Sequence, residues 1–256
     1  MKQYGLLGFP ISHSFSKDYF TDKFRIEGID AAYELYPIPE IGGFTNLIQS
    51  NLQLQGLNVT IPYKQVVMPF LDEFDPQALE VGAINVIRFE RSPEGSLRLK
   101  GYNSDLYGFR ESIRPLIEVL RQRISNPEQA LKALVLGTGG ASKAVLFGLK
   151  QLNIQTLLVS RQEAPNQLTY EQLTPEIYES CNLVVNTTPL GMSPKLDACP
   201  PLDYSKFGTQ HLLYDLVYNP EKTLFIQKGE SRGCIVKNGL EMLHLQAEEA
   251  WRIWNM

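Results

Sequence analysis

The chain has 256 residues, of which 43% are apolar and 20% charged, and its net charge is −4. This composition is ordinary for a folded globular protein and argues against a chain that is disordered throughout. No basic block or basic face stands out, so the charge pattern gives no reason to expect a nucleic-acid partner.

The first part of the chain alternates short apolar runs with amphipathic stretches. A helix is predicted from Ser16, as its N-cap, to Gly28, where it stops, and a second helix over 41–49. A turn at 92–95 joins the last two strands of this part into a hairpin. The predicted strands cover residues 3–9, 32–36, 56–60, 84–90 and 97–101.

The second part begins with a long helix over 105–123, which ends before the polar segment 125–128. A cleaner alternation of strand and helix follows, and it favours an α/β fold with parallel strands. The last helix, 240–254, is amphipathic. The other predicted elements are strands at 133–136, 156–160, 182–186 and 212–216 and a helix at 140–152.

A glycine-rich turn follows the strand at 133–136 and reads Gly137-Thr138-Gly139-Gly140-Ala141-Ser142. Gly137 suits a tight turn, and Gly139 lets the backbone approach a pyrophosphate. The N–H groups and the dipole of the helix that follows favour the negative charge of such a group. A glycine turn without a ligand is the alternative, and Ser142 stands where the general dinucleotide pattern has a third glycine.

The next strand ends at Ser160 and Arg161, roughly twenty residues further on, where the ribose of a dinucleotide is expected. An acidic residue there favours the 2′-hydroxyl of NAD, whereas Arg161 suits a 2′-phosphate. Arg161 therefore favours NADP over NAD. A solvated surface arginine is the alternative interpretation.

Polar side chains cluster where strands of the first part end, which is where α/β proteins place ligands. Hydroxyls and amides both donate and accept hydrogen bonds, so these clusters suit a hydroxylated acid. Each residue also has a purely structural interpretation: Lys64 as a surface lysine, Asp105 as the N-cap of the long helix and Asn58 as a turn former. The clusters are 12–16, 58–64 and 103–105, with Asn85 between the last two.

A series of blocks in a fixed order resembles the shikimate dehydrogenase family, and together the blocks are far more specific than any one of them. The chain departs from the family pattern at Lys17, Ser104 and Thr138, and it lacks the second basic residue that often follows the position of Arg161. The blocks are 8–16, 58–64, 82–85, 101–105, 137–142, 185–192, 214–220 and 238–246.

The resemblance implies an α/β fold with two domains. Residues 1–104, completed by the C-terminal helix 239–256, are expected to form an N-terminal α/β substrate domain. Residues 105–238 are expected to form a Rossmann-like, doubly wound domain that binds the dinucleotide. The active site is expected in the cleft between them, whose closure would exclude water during hydride transfer.

The family's reaction is the reversible reduction of 3-dehydroshikimate to shikimate with NADPH, an oxidoreductase step at a CH–OH group in aromatic amino-acid (chorismate) biosynthesis. The resemblance implies that Lys64 and Asp105 form the catalytic pair. Hydride addition to a ketone leaves a developing alkoxide that needs a proton or a nearby cation, and a lysine oriented by a carboxylate supplies both. Lys64 is then the acid for ketone reduction and the base for alcohol oxidation.

The resemblance also implies which residues surround the substrate and an NADP cofactor. The implied substrate residues are Ser14, Ser16 and Tyr218 near the carboxylate, and Thr60, Asn85, Asp105 and Gln246 near the ring substituents. The implied cofactor residues are Gly137, Thr138, Gly139, Gly140, Ala141, Ser160, Arg161, Thr187, Leu216 and Gly239.

Two other functions stay open. A quinate/shikimate dehydrogenase that uses NAD or both cofactors is the nearest alternative, and Arg161 counts against a strong NAD preference. A ligand sensor without turnover is the alternative from another class, but binding alone does not need both Lys64 and Asp105.

The remaining features concern metals, partners and location. No metal site is expected, because His13, His211 and His244 show no ligand spacing. The three cysteines are odd in number and far apart, which favours reduced thiols. Without a signal peptide or a long apolar stretch, we expect a cytoplasmic protein that binds small molecules rather than nucleic acid or membrane, as a monomer or a homodimer.

Overall fold

The computed structural model describes residues 1–11, 14–126 and 128–256. Ser12 and His13 of the first resemblance block, and Pro127 of the predicted helix break, lie outside these residues. The described chain forms two compact units. The first unit comprises Met1–Ser104 and Ala247–Met256, and the second comprises Asp105–Gln246.

The first unit is built on a six-stranded sheet. Its strands are β1 (Lys2–Gly8), β2 (Ala31–Pro37), β3 (Leu54–Val59), β4 (Glu73–Phe74), β5 (Val86–Arg91) and β6 (Leu97–Tyr102), in the order β2-β1-β3-β5-β6-β4. β1 is parallel to β2 and β3, and β5 is antiparallel to β3 and β6. The start of β5 therefore lies at the same edge of the sheet as the ends of β1, β3 and β6.

The helices of this unit are α1 (Phe15–Glu27), α2 (Phe44–Ser50) and α3 (Pro76–Val81). The predicted stop of α1 at Gly28 is confirmed, since Gly28 has a φ of 65°, the left-handed conformation that glycine adopts without strain. The prediction of Ser16 as N-cap is wrong: Ser14 holds that position with an extended backbone, and Ser16 lies in the first turn. The helix predicted over 41–49 begins instead as a 3-10 turn at Ile41–Gly43, in keeping with the weak helix propensity of glycine.

The C-terminal residues complete the core of the first unit. The Trp254 ring lies 4.8 Å from that of Tyr4, and its indole N–H donates to the Ile87 carbonyl at 3.1 Å. Gly56 makes this possible, because a Cβ there would lie 2.3 Å from the indole. The cluster also holds buried rings from α1 and β2, namely Phe20, Phe24 and Tyr33. Burial of these large rings joins the two ends of the chain in one core.

The second unit is built on a six-stranded parallel sheet. Its strands are β7 (Lys132–Leu136), β8 (Gln155–Ser160), β9 (Gln167–Thr169), β10 (Leu183–Asn186), β11 (Leu212–Asp215) and β12 (Ile235–Lys237), in the order β9-β8-β7-β10-β11-β12. Counted within this unit, that is the 3-2-1-4-5-6 order of the doubly wound Rossmann fold. The predicted fold class is confirmed.

The helices of the second half are α4 (Ser104–Arg123), α5 (Gly140–Gln151), α6 (Pro175–Ser180), α7 (Leu224–Glu230) and α8 (Leu240–Trp254). The last helix has its predicted bounds. Since α4 already begins at Ser104, Asp105 lies in its first turn and the N-cap interpretation of Asp105 is wrong. Among the helices described, none has both the length and the apolar character needed to cross a bilayer.

A buried carboxylate ties together the ends of two neighbouring strands in the second unit. Asp215 and Asn186 are fully buried register partners at the ends of β11 and β10. The Asp215 carboxylate accepts hydrogen bonds from Asn186 Nδ2 (2.9 Å), Thr223 Oγ1 (2.6 Å) and the Val217 N–H (3.1 Å). Burial outweighs these donors and raises the pKa of Asp215 to about 6.

We predict that Asp215→Asn makes the stability of the protein less dependent on pH. Because the pKa of Asp215 is raised above its value in the unfolded chain, the folded state binds more protons between about pH 4 and pH 6. This group's contribution to the free energy of unfolding therefore falls as the pH rises through that window, by about 2 to 3 kcal/mol. Asparagine keeps an oxygen for Asn186 and Val217 and offers an N–H to Thr223.

Urea unfolding of the wild type and of Asp215→Asn at pH values from 4 to 7 measures this effect. The free energy of unfolding of the variant relative to the wild type should rise with pH. Two curves that run parallel across the window would contradict the assignment of a raised pKa to Asp215.

Candidate active site

The glycine turn lies at the switch point of the second sheet, where the chain leaves β7 in one direction and β10 in the other. Gly137 has a φ of 105°, and a Cβ there would lie 2.8 Å from Thr187 Oγ1. No described heavy atom lies within 4 Å of the position that a Cβ on Gly139 would take. The turn is thus closed towards the sheet at Gly137 and open at Gly139, immediately before the N-terminus of α5 at Gly140.

Thr187 directly follows β10, on the other side of the switch point. Its N–H and its hydroxyl both donate to the Leu136 carbonyl, at 2.9 Å and 2.6 Å. The same hydroxyl lies where a side chain on residue 137 would have to go. Thr187 therefore binds the end of β7 to the end of β10 and sets the shape of the turn.

Arg161 lies beside the glycine turn at the same edge of the sheet. β7 and β8 are parallel, with Leu136 opposite Val159, so the residues that follow each strand are neighbours. The Arg161 side chain is exposed. Burial raises the pKa of the Tyr170 phenol, and the nearby Arg161 guanidinium opposes that rise. Ser160 and Arg161 thus lie where the ribose end of a dinucleotide binds in this fold.

Leu216 and Gly239 are in backbone contact beyond the end of β11. A Cβ on Gly239 would lie 2.1 Å from the Leu216 carbonyl oxygen, so no larger residue fits without a backbone shift. The Gly239 N–H donates to the Val217 carbonyl at 3.2 Å. Tyr218, next along the chain, is half-buried, and burial raises the pKa of its phenol. The structure thus brings Leu216, Gly239 and Tyr218 to the same edge as the glycine turn.

Asp105 and Gln246 lie near a close crossing of α4 and α8 in the second unit. Gly108 is the contact: a Cβ on it would lie 2.6 Å from the Met242 carbonyl oxygen and 3.1 Å from Gln246 Cβ. Asp105 lies one turn before Gly108 on α4. Both Asp105 and Gln246 are buried, with exposed fractions of 7% and 9%.

In the first unit, Asn85 precedes β5 and is bonded to the start of α4. Asn85 Oδ1 accepts from the Ser104 N–H at 2.7 Å, and Asn85 Nδ2 donates to Ser104 Oγ at 3.0 Å. Both residues are buried. With one N–H and one lone pair of its amide used by Ser104, Asn85 can still offer its second N–H to a ligand.

Thr60 and Lys64 belong to the turn that follows β3. The Thr60 N–H donates to the Leu7 carbonyl (2.9 Å), and the Lys64 carbonyl accepts from the Ile84 N–H (2.6 Å). Gly8 leaves room for Thr60, whose Cγ2 would lie 2.4 Å from a Cβ on Gly8. Both Thr60 and Lys64 are half-buried. Their backbones are therefore fixed to the ends of the neighbouring strands.

Ser14 and Ser16 start α1. Within the described helix, the Ser14 hydroxyl caps no backbone N–H, and both serines are half-buried. Burial raises the pKa of the Tyr33 phenol on β2, and the Ser16 side chain opposes that rise.

The predicted site residues are divided between the two units. In the first unit, Ser14, Ser16, Thr60, Lys64 and Asn85 lie in segments that meet at one edge of the sheet, because β5 starts where β1, β3 and β6 end. In the second unit, the residues predicted for the cofactor lie at the C-terminal edge of the parallel sheet. In the described chain, no group of three or more His, Cys, Asp or Glu side chains is arranged to hold a metal ion.

Sequence reasoning missed two residues that hold this arrangement together, and one of them is Tyr33. Asn58 was recognised as part of a polar cluster, but its alternative interpretation as a turn former is wrong, because it lies buried inside β3. Gly108 went unnoticed inside a helix. A polar residue in an apolar strand and a glycine in a long helix were the available signals.

A comparison with known proteins identifies the family. A family model described as the shikimate dehydrogenase substrate binding domain matches residues 6–87. The shikimate dehydrogenase (NADP(+)) of Desulforamulus reducens is 36% identical over 98% of this chain and 88% of its own length. That of Clostridium beijerinckii is 37% identical over 99% of this chain and 92% of its own.

The fold agrees with this relationship. The crystal structure of the Thermus thermophilus shikimate 5-dehydrogenase in complex with NADP(H) and shikimate superposes with a TM-score of 0.81, at 29% identity, over 99% of this chain and 93% of that one. The sequence relatives and the shared fold cover both units of the chain. The chain belongs to the shikimate dehydrogenase family.

Proposed function

We propose that this protein is an NADP-dependent shikimate dehydrogenase, which reversibly reduces 3-dehydroshikimate to shikimate in the biosynthesis of aromatic amino acids. The observation that carries the proposal is the convergence of hydroxyl, amide and lysine side chains at one edge of the first sheet in a chain of this family. The similar proteins named above are shikimate dehydrogenases (NADP(+)), and one related structure is a complex with NADP(H) and shikimate.

The second unit fits an NADP cofactor. The backbone at Gly139 is open, and the N–H groups at the start of α5, which no side chain caps, suit a pyrophosphate. Thr138, Gly140 and Ala141 complete this cradle. Arg161 and Ser160 would hold the 2′-phosphate of the ribose. Thr187, Leu216 and Gly239 would line the rest of the cofactor site.

The first unit and the α4–α8 crossing supply groups that match a polyhydroxylated ring acid. Ser14, Ser16 and Tyr218 would bind the carboxylate. Asn85 would donate its remaining N–H to a ring oxygen, and the Thr60 hydroxyl can donate or accept. Asp105 and Gln246 would bind further ring hydroxyls.

Lys64 and Asp105 would carry the proton transfer. When bound, NADPH would supply the hydride for ketone reduction, and NADP would accept it in the reverse direction. During ketone reduction, the Lys64 ammonium donates a proton to the developing alkoxide oxygen, and during alcohol oxidation the neutral amine takes that proton back. In this proposal, Asp105 would accept a hydrogen bond from a ring hydroxyl and would orient Lys64. We treat the two as one coupled acid–base unit.

We predict that Lys64→Ala lowers kcat for shikimate oxidation by at least about a hundredfold and changes the KM for shikimate by less than about threefold. Proton transfer is lost in the transition state, whereas most ground-state contacts remain. Initial rates of NADPH formation measure both constants. Lys222→Ala is a matched control, because Lys222 forms an exposed ion pair with Glu230. A Lys64→Ala enzyme with a near-normal kcat would remove Lys64 from the mechanism.

We predict that Arg161→Ala raises the KM for NADP about tenfold or more and leaves the KM for NAD within about twofold. A charge-assisted bond to the 2′-phosphate is lost, and NAD has no such group. The same enzyme assayed with each cofactor provides its own control. Equal changes in the two KM values would mean that Arg161 does not bind the 2′-phosphate.

Three further predictions concern location, assembly and the division into domains. The cytoplasmic location stays a prediction, in keeping with the free thiols of Cys181, Cys199 and Cys234. The choice between a monomer and a homodimer also stays a prediction. The division of the chain into a substrate domain and a cofactor domain at residue 104 is part of the proposal.

A further inference from the structure

A buried carboxylate directly precedes one of the residues proposed to line the cofactor site. Asp215 is the last residue of β11 and is fully buried, and Leu216 follows it. The proposed function assigns no ligand contact to Asp215. Its hydrogen bonds come from three different segments of the second unit, through Asn186, Val217 and Thr223. Two of these segments lead to proposed cofactor residues.

The first hydrogen bond fixes the backbone after β11. The Val217 N–H donates to Asp215 Oδ1 at 3.1 Å, two residues along the chain, which closes an Asx turn around Leu216. The Val217 carbonyl in turn accepts from the Gly239 N–H at 3.2 Å. Gly239 also packs directly on the Leu216 backbone, where a Cβ would not fit. The carboxylate therefore sets the backbone conformation on which both proposed cofactor residues depend.

The second hydrogen bond fixes the segment after β10. The Thr188 N–H donates to Asn186 Oδ1 at 3.1 Å, and because a backbone N–H can only donate, the amide oxygen must face Thr188. The amide nitrogen then faces Asp215 Oδ1 and donates to it at 2.9 Å. The Thr188 hydroxyl donates to Asn186 Oδ1 at 2.6 Å and accepts from the Leu190 N–H at 3.3 Å. Thr187, which lies between Asn186 and Thr188, is thus held from both sides.

The third hydrogen bond leads away from the cofactor residues. The Thr223 hydroxyl donates to Asp215 Oδ2 at 2.6 Å and accepts from the Ile226 N–H at 3.3 Å, as the N-cap of α7. No residue of α7 is proposed to contact the cofactor. A change at Thr223 therefore weakens the same carboxylate network without touching the two segments that lead to the cofactor.

The place of Asp215 in the sheet indicates which half of the dinucleotide is concerned. A doubly wound sheet binds one nucleotide half on each side of its switch point, which lies here between β7 and β10. Arg161 follows β8, so the half with the 2′-phosphate would lie on that side. β11 lies on the other side of the switch point, where the nicotinamide half would bind.

We propose that Asp215 is a positioning residue for the nicotinamide half of the cofactor, whose carboxylate holds the backbone of Leu216 and Gly239 and the segment after β10 in one fixed arrangement. This inference rests on the proposed function, because it takes Thr187, Leu216 and Gly239 as cofactor contacts. Hydrogen bonds to a charged group are stronger than those between neutral groups, so they restrain both segments before the cofactor arrives. Less ordering is then needed when the cofactor binds.

Asp215→Leu tests the inference, because leucine has nearly the shape of aspartate and accepts no hydrogen bond. Calorimetric titration with NADPH and with adenosine 2′,5′-bisphosphate, which carries the 2′-phosphate but lacks the nicotinamide, measures two dissociation constants. We expect the Kd for NADPH to rise about fivefold to tenfold, as expected for the loss of one buried hydrogen bond. The Kd for the bisphosphate should stay within about twofold. A merely structural role would raise both constants, or neither.

Thr223→Val is the matched control. It removes a hydrogen bond to the same carboxylate and the cap of α7, so it also lowers the stability of the second unit. Valine keeps the branched shape of threonine. This variant should leave the Kd for NADPH within about twofold of the wild type. An equal rise of that Kd in Thr223→Val and Asp215→Leu would overturn the inference.

Asp215→Asn is the conservative variant. Its amide keeps an oxygen for Asn186 and Val217, so we expect it to recover most of the NADPH affinity that Asp215→Leu loses. An Asp215→Asn protein that binds NADPH as weakly as Asp215→Leu would contradict positioning through these hydrogen bonds.

Asn186→Ala tests the link to Thr188, and it takes the place of Asp215→Leu if that variant does not fold. It removes the side chain that joins Asp215 to Thr188 and leaves the Val217 hydrogen bond in place. We expect the Kd for NADPH to rise about threefold and that for adenosine 2′,5′-bisphosphate to stay within about twofold. An unchanged Kd for NADPH, or an equal rise for both ligands, would overturn the positioning role and leave the proposed function intact. Absence of NADPH binding by the wild type would overturn both.

Discussion

The pair of hydrogen bonds between Asn85 and Ser104 is the contact on which the arrangement of the first unit depends. A helix leaves its first N–H groups without partners inside the helix, and the Asn85 amide oxygen supplies one for Ser104. The amide nitrogen returns a hydrogen bond to the Ser104 hydroxyl, with both residues buried. The family pattern more usually has threonine at this position, and Ser104 keeps the hydroxyl that this contact needs.

In both units, the order and direction of the strands bring residues that are far apart in sequence close together. In the first unit, Asn85 lies just before the antiparallel β5, at the edge of the sheet where β3 ends. Thr60 and Lys64 follow β3 at the same edge. In the second unit, the switch point between β7 and β10 brings Thr187 against Gly137. Glycine is used where backbones must pass closely, at Gly108 on α4 and at Gly239 before α8. Residues far apart in sequence thus meet without long loops, which preorganises the polar groups for a ligand.

Elements with strong local signals could be predicted from the sequence, and elements defined by distant contacts could not. The amphipathic pattern of α8, the stop of α1 at Gly28 and the glycine turn at 137–142 each carry their signal within a few residues. The short elements α3, α6, α7, β4, β9 and β12 were missed because two to seven residues are too few to show a period. Ser16 was mistaken for an N-cap because Ser14, two residues earlier, has the same side chain and takes the capping position instead. The hydrogen bond between Tyr33 and Asn58 was missed because a contact between distant strands leaves no pattern in the sequence.

In the proposed function, the polar edge of the first sheet selects shikimate and Arg161 selects NADP. A comparison of kcat/KM for shikimate and quinate, each with NADP and with NAD, tests both selections in the purified protein. The pair of shikimate and NADP should give the highest kcat/KM of the four. A kcat/KM for quinate with NAD that equals or exceeds it would contradict both selections.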